Sequence, residues 1–324
     1  MGEITAELTL DAPVFTVEAE LGAAQPAPFP QPPPYSPLTP HLTGITGTFG
    51  VMERVLIDET KINLLELDEN GEQTGEAAYF STCSDAASYL SAHPGTNYDM
   101  QFGNALEIDR IADLTFQNLT NLRHVTLSDK IMILGAGAFQ NCSGLLEVDA
   151  PQIKQIGEYC FQYCTSLAKI SMPDVRSISN QAFIHCEALD NVSITTMQSP
   201  ILSYTFGYCY SLKKIELSIK SQGIMDHAFA DCRGLTELTL PEGVQFINSS
   251  AFTDCKSLTS VSLPGTLQSI QDRIFLGCTA LETITIAKAE GSISGAPWGA
   301  PDAQVVWTGT AAQTNETEAA NRRG

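Results

Sequence analysis

Seven of the nine cysteines stand three residues after a phenylalanine: Cys142, Cys164, Cys186, Cys209, Cys232, Cys255 and Cys278. A thiol ladder at that spacing has three chemical readings: disulfides, metal ligation or packing. Stacked neighbours do bring Cα atoms within the roughly 4.4–6.8 Å that a disulfide needs. Their side chains, however, point in parallel, and an odd number cannot pair fully. Metal binding needs clustered ligands at local spacing, and Cys160 with Cys164 makes a single Cys-x3-Cys with no second pair. Leu119 fills the slot in the first copy, so the slot accepts an apolar side chain. The seven are expected to be buried small hydrophobes with free thiols, which favours assembly in a reducing compartment.

The second group with chemical content is aromatic. Two residues before the phenylalanine stand Tyr159, Gln181 and Tyr204 in three successive copies, and two residues after it stand Tyr163, His185 and Tyr208, with Tyr210 two further on. Other copies carry Asn118, Asn141, Asp231, Asp254 and Gly277 at the second slot. Tyrosines with polar tips are enriched at recognition surfaces. Tyr159, Tyr163, His185, Tyr204, Tyr208 and Tyr210 are thus the candidate ligand-binding set, the alternative being that they pad a convex face. No catalytic or cofactor-binding motif is present: there is no Gly-x-Ser-x-Gly, His-Glu-x-x-His, Walker loop or glycine-rich dinucleotide turn. Asp226, His227 and Asp231 share one copy, a common arrangement in turns. The expectation is a non-enzyme with no metal and no cofactor. Asn-x-Ser/Thr occurs at Asn118, Asn141, Asn191, Asn248 and Asn315, mostly as a by-product of the repeat, so glycosylation is not inferred.

These residues are positioned by a repeat of 22–23 residues. Its phenylalanines are Phe116, Phe139, Phe161, Phe183, Phe206, Phe229, Phe252 and Phe275. Ile or Leu precedes each by five, Leu follows by six, and apolar residues follow by nine and eleven. The stretch Leu-x-x-Ile-x-Leu reads as one short strand per copy. A unit this small cannot bury its apolar face alone, whereas stacked units can, so the chain is expected to be a solenoid with a parallel sheet over 106–288. Eight rungs at about 4.8 Å make a rod of roughly 40 Å. Gln198 and Ser221 replace an aliphatic residue eight before the phenylalanine in rungs five and six, where a local bend is expected. The outward strand rows, Thr126 to Thr285 and His124 to Thr283, read as solvated polar ladders.

The segments "IGEYCFQYCTSLAKISMPD" (156–174) and "INSSAFTDCKSLTSVSLPG" (247–265) share the pattern Ile-(x)4-Phe-x-x-Cys-x-x-Leu-x-x-Ile-x-Leu-Pro. This pattern resembles the BspA-like leucine-rich repeat family. The segment "GAPWGAPDAQVVW" (295–307) is similar to the end found after such arrays, with Trp298 and Trp307 as a lid and "AQVVW" as a final strand within a cap over 289–308. The resemblance implies a non-catalytic adhesion or ligand-binding protein, recognising a protein or glycan on a cell surface and facing the outside of the cell.

The first hundred residues are of a different kind. "EITAELTL" and "VFTVEAEL" alternate as a strand pair over 1–22. Residues 23–40 hold eight of the seventeen prolines, and 23–45 reads as a semi-rigid linker. Residues 46–105 read as a small α/β cap. Its strands are "VMERVLID" and "KINLLELD", "ENGEQTGE" is a turn, and "SDAASYLSAH" is a helix capped by Ser84 and stopped by Pro94 and Gly95. The turn lacks the spacing of a calcium loop. The tail, 309–324, is small and polar and is expected to be disordered. Residues 1–45 resemble N-terminal segments of phage tail-associated proteins. That resemblance implies an alternative, a virion protein docked or oligomerised through this segment.

Charge narrows the partners. The chain carries 37 acidic and 17 basic side chains, a net of −20, and residues 1–110 alone contribute −14. Nucleic acid and anionic membranes both select for an excess of Lys and Arg. No apolar run approaches the roughly 18 residues of a membrane helix, and no basic-then-apolar leader is visible.

Overall fold

The structure is a computed structural model that describes residues 57–309 apart from Ile219 and Ser221. The chain divides into two units, Met1–Glu53 and Arg54–Gly324, and the described residues lie in the second. The expected strand pair over 1–22, the linker over 23–45, most of "VMERVLID" and the tail beyond 309 fall outside them.

The described chain begins with β1 (Ile62–Leu67), β2 (Gln73–Phe80), α1 (Cys83–Ala92) and β3 (Asn97–Phe102). Strand β1 pairs antiparallel with both β2 and β3. The turn between β1 and β2 is shorter than "ENGEQTGE": Asp68 Oδ1 accepts the amides of Asn70 and Glu72, so pairing resumes at Gln73. The helix cap also differs from expectation. Thr82, not Ser84, is the N-cap, and its Oγ1 accepts the Asp85 amide at 3.2 Å. Extended φ/ψ at Thr82 lets its side chain reach back to that orphan amide. After the helix, the Asn121 side-chain amide donates to the carbonyls of Leu90, His93 and Thr96, which ties α1 to the first rung.

A parallel β-solenoid follows. Its first rung strand, Leu122–Thr126, adds to β3 in parallel, so the solenoid sheet grows directly from the cap. The cap thereby satisfies the edge that the first rung would otherwise expose. Rungs two and three add Glu147–Asp149 and Lys169–Ser171. Each rung buries its apolar positions, and eight phenylalanines form one column. Consecutive ring centroids lie 5.1–6.0 Å apart, with interplanar angles of 2–26°. Phe102 closes the column from the cap side, edge-on to Phe116 at 6.4 Å. At the far end the repeat continues one turn beyond the eight copies. Ile293 and Trp298 keep the 23-residue step from Ile270 and Phe275 and are buried, and Trp298 accepts the Phe275 amide through its carbonyl. The final strand Gln304–Trp307 pairs with Thr283–Ile286, and Trp307 meets Trp298 edge-on at 6.2 Å.

Two features differ from the one-strand reading. Every rung but the fifth has a second strand of two residues, such as Gln155–Ile156 and Ser177–Ile178, and these build their own parallel ladder. They carry the isoleucine or leucine five before the phenylalanine. A two-residue strand has no visible alternation, so no sequence period announces it. The ladders are also interrupted. The rung-strand ladder breaks between Lys169–Ser171 and Asn191–Ile194, and again between Lys214–Leu217 and Glu237–Thr239. The short-strand ladder breaks between rungs four and five, where only the bridge Ile201–Ile224 leads on to rung six. Gln198 does not weaken the core as expected: it is exposed, and Met197 turns inward and is fully buried in its place. The Met197 amide donates to Ile194, as Val175 donates to Met172 one rung earlier. No described helix is long and apolar enough to cross a membrane.

Candidate functional site

The turn face is built by backbone geometry before any side chain is considered. In all eight rungs the residues two before and two after the phenylalanine have φ near +60°, from Leu114 and Asn118 to Arg273 and Gly277. In rungs one to seven this left-handed conformation aims their amides at carbonyls of the following rung. Tyr163, His185 and Tyr208 donate to Ile184, Gly207 and Ala230 at 2.7–3.0 Å. Each such slot favours Gly, Asn or Asp, and another residue there carries strain of order 1 kcal/mol. Asn118, Asn141, Asp231, Asp254 and Gly277 follow that rule. Leu114, Tyr159, Tyr163, Gln181, His185, Tyr204, Tyr208, His227, Ser250 and Arg273 do not.

The structure brings the six sequence-nominated residues onto this face as two columns beside the phenylalanine stack. In one column His185 is sandwiched between Tyr163 at 4.7 Å and Tyr208 at 4.6 Å, with rings nearly parallel. In the other, Tyr204 stacks on His227 at 4.6 Å, while Tyr159 is separated from Tyr204 by Gln181 at the slot between them. Tyr210 meets Tyr208 edge-on at 6.4 Å. Tyr163 is 44% exposed.

Carboxylates surround these rings. The Glu158 charge holds the Tyr159 hydroxyl above its usual range. Burial raises Tyr204 and Tyr210, with Tyr208 and Asp226 adding to the first and Asp231 and Glu187 to the second. Glu187 Oε1 lies 3.7 Å from His185 Nδ1. Sequence reading missed Arg233. Its guanidinium lies over the Tyr210 ring at 4.5 Å and forks onto Asp231 with two 2.7 Å bonds. The contact crosses from rung six to rung five, and only the 23-residue period could have signalled it.

The cysteine slot proves more specific than an apolar filler. Each of the seven thiols donates to the phenylalanine carbonyl of the preceding rung, at 3.0–3.3 Å. All described cysteines are free thiols. Burial pushes Cys142 up to about 12, which removes nucleophilic character. Among the described residues no group of three or more His, Cys, Asp or Glu could hold a metal ion.

Two further places bear on function. A cavity of about 390 Å³ opens on the strand face at the first ladder break, lined by Lys169, Ile170, Asp190, Asn191, Ser193 and Glu216 among others. From residue types alone this face reads as solvated polar ladders. Half-exposed Ile170 marks the break, but nothing local predicts it. Elsewhere Asp99 Oδ1 lies 2.6 Å from His124 Nδ1, an acid–histidine pair that chain order hides. Its side chains are 1% and 8% exposed, so it braces the junction between β3 and the first rung out of reach of a substrate.

A family model described as a BspA type leucine rich repeat region, present in 6 copies, matches residues 100–212 and 199–296. Among solved structures, a leucine-rich repeat protein from Bacteroides ovatus is similar at 21% identity, with a TM-score of 0.41, over 64% of this chain and 65% of that one. This chain thus spans just under two thirds of that protein's length. A leucine rich cell surface protein from Faecalibacterium prausnitzii is similar at 20% identity, with a TM-score of 0.38, over 66% of this chain and 91% of that one. A leucine rich repeat protein of T. pallidum is similar at 25% identity and a TM-score of 0.36, over 59% and 77%. No curated protein matches.

Proposed function

Because the chain belongs to the BspA-type leucine-rich repeat family, we propose that it is a non-catalytic binding or adhesion protein that uses its solenoid to recognise a protein or glycan on a cell surface. The observation carrying this reading is the set of Tyr and His side chains at left-handed slots in rungs three to six. At the slot two after the phenylalanine the other rungs carry Asn, Asp or Gly, and the bulky Tyr163, His185 and Tyr208 add strain there without filling the core. A surface selected for recognition accounts for that choice. The protein works facing outward from a cell or particle on this reading, and needs no cofactor.

The test is a binding assay on host cells and a glycan array, comparing the wild type with Tyr163→Asn/Tyr208→Asn. Circular dichroism first establishes that both are folded. Binding lost from a folded variant supports recognition on the turn face. Binding unchanged removes these residues from the site and directs attention to the strand-face cavity.

The second reading, a virion protein attached through residues 1–45, rests on the strand–proline layout of that segment. It entails a symmetric oligomer that a chain shortened to 46–324 no longer forms. Light scattering showing a monomer in both forms counts against it.

A further inference from the structure

The turn face of rungs three to six combines stacked rings with uncompensated acid. Segments 156–165, 178–188, 201–211 and 224–234 carry Glu158, Glu187, Asp226 and Asp231 against a single Lys or Arg, Arg233. That arginine is already paired with Asp231. We propose that this face recognises an arginine-rich segment of a partner protein, with guanidinium groups stacked on exposed tyrosine and paired with the neighbouring carboxylates. The inference rests on the turn-face reading above and names its partner class.

Three observations support it. First, the chain displays the contact within itself. Arg233 places its guanidinium 4.5 Å from the centre of the Tyr210 ring and binds both oxygens of Asp231. Guanidinium is planar and forked, so it satisfies ring and carboxylate together, whereas an ammonium is a point charge without a stacking face. Second, an exposed tyrosine lies two rungs away. Tyr163 ends its column: rung two puts Asn141 in the same slot, and among the described residues the one ring stacked on Tyr163 is His185. In the same rung Glu158 stands next to Tyr159, and Glu187 lies near His185. Third, the inner ring faces are taken. His185 is covered by tyrosines on both sides at 4.6–4.7 Å, which leaves no room to lay a sugar ring between them. Attraction of a cationic segment also agrees with the net charge of −20.

The test is calorimetric titration of the full chain at 150 mM salt with blocked tetra-arginine, and with tetra-lysine of equal charge. Because any cation is drawn to so acidic a protein, Glu158→Gln/Glu187→Gln is compared with a charge-matched pair on the strand side, Glu237→Gln/Glu282→Gln. Expected are at least fivefold tighter binding of arginine than lysine, a loss of about tenfold in the first pair, and less than twofold in the second. Equal losses in both pairs, or lysine binding as well as arginine, overturn the proposal as non-specific attraction. If tetra-arginine does not bind while Tyr163→Asn/Tyr208→Asn still abolishes cell binding, the turn-face reading stands and the cationic partner falls. If that variant changes neither measurement, both fall.

Discussion

The thiol of Cys209 donates to the carbonyl of Phe183, one rung earlier, across 3.3 Å. The same carbonyl accepts the Cys186 amide within its own rung at 3.1 Å, so the thiol supplies its second partner. This explains both the seven cysteines and the exception. Leu119 occupies the slot in the first rung, which has no preceding phenylalanine of the repeat column to satisfy.

Cys209→Ala removes this donor and a buried sulfur but leaves the carbonyl one partner, so a loss of about 1–2 kcal/mol is expected. Cys209→Leu copies the residue of rung one into a slot sized for sulfur, and overpacking is expected to cost about 1–3 kcal/mol. Urea titration checks both. Leucine tolerated without loss at position 209 contradicts the donor account.

Alkaline pH should weaken the fold through these thiols. Folded Cys142 has its pKa raised by burial to about 12, against an ordinary thiol value of 9.0. The contribution is fully present below the unfolded pKa and is lost as pH rises from about 9 toward 12, because the unfolded chain releases the proton first. Each buried thiol adds a slope of about 1.4 kcal/mol per pH unit in that window. Urea midpoints between pH 8 and 10.5 should fall more steeply for the wild type than for Cys142→Ala. Parallel pH dependences would contradict this.

Phe183 stacks between Phe161 at 5.1 Å and Phe206 at 5.2 Å. Phe183→Ala is expected to cost about 3–5 kcal/mol. Each rung contacts mainly its neighbours, so a mid-array cavity should also uncouple the two halves and split a single unfolding transition into two. Calorimetry reads this directly, and a lower but still single transition would show longer-range coupling.

Tyr208→Asn separates recognition from packing. Its φ of +60° is better suited to Asn, the residue at Asn118 and Asn141. Stability should stay level or rise by up to about 1 kcal/mol, while cell binding falls. A drop in stability of more than about 1 kcal/mol would return Tyr208 to packing.

How much was legible in the sequence depended on distance along the chain. The phenylalanine, leucine and isoleucine positions announced the solenoid because every copy repeats the same local pattern, and the tyrosine cluster was visible as a departure from that pattern. Arg233 on Tyr210 was not visible, since the contact joins different rungs and turns on side-chain direction. The sequence points to Ser84 as the N-cap and the structure uses Thr82, because Thr, Ser and Asp all lie within three residues there and only the φ/ψ at the helix start selects one. Met197 replacing Gln198 is a one-residue shift that a fixed-offset comparison cannot detect.

The sequence by itself determined the repeat length, the inward residues and the net charge, because burial of an apolar face at fixed period has one economical solution, a stack. The tertiary structure decided what the slots mean. It showed that each cysteine is a donor to the rung before, that tyrosines sit at left-handed positions, and that the ladders break between particular rungs. Those properties follow from backbone direction and hydrogen bonding between residues about 23 apart, and neither is written in residue type alone.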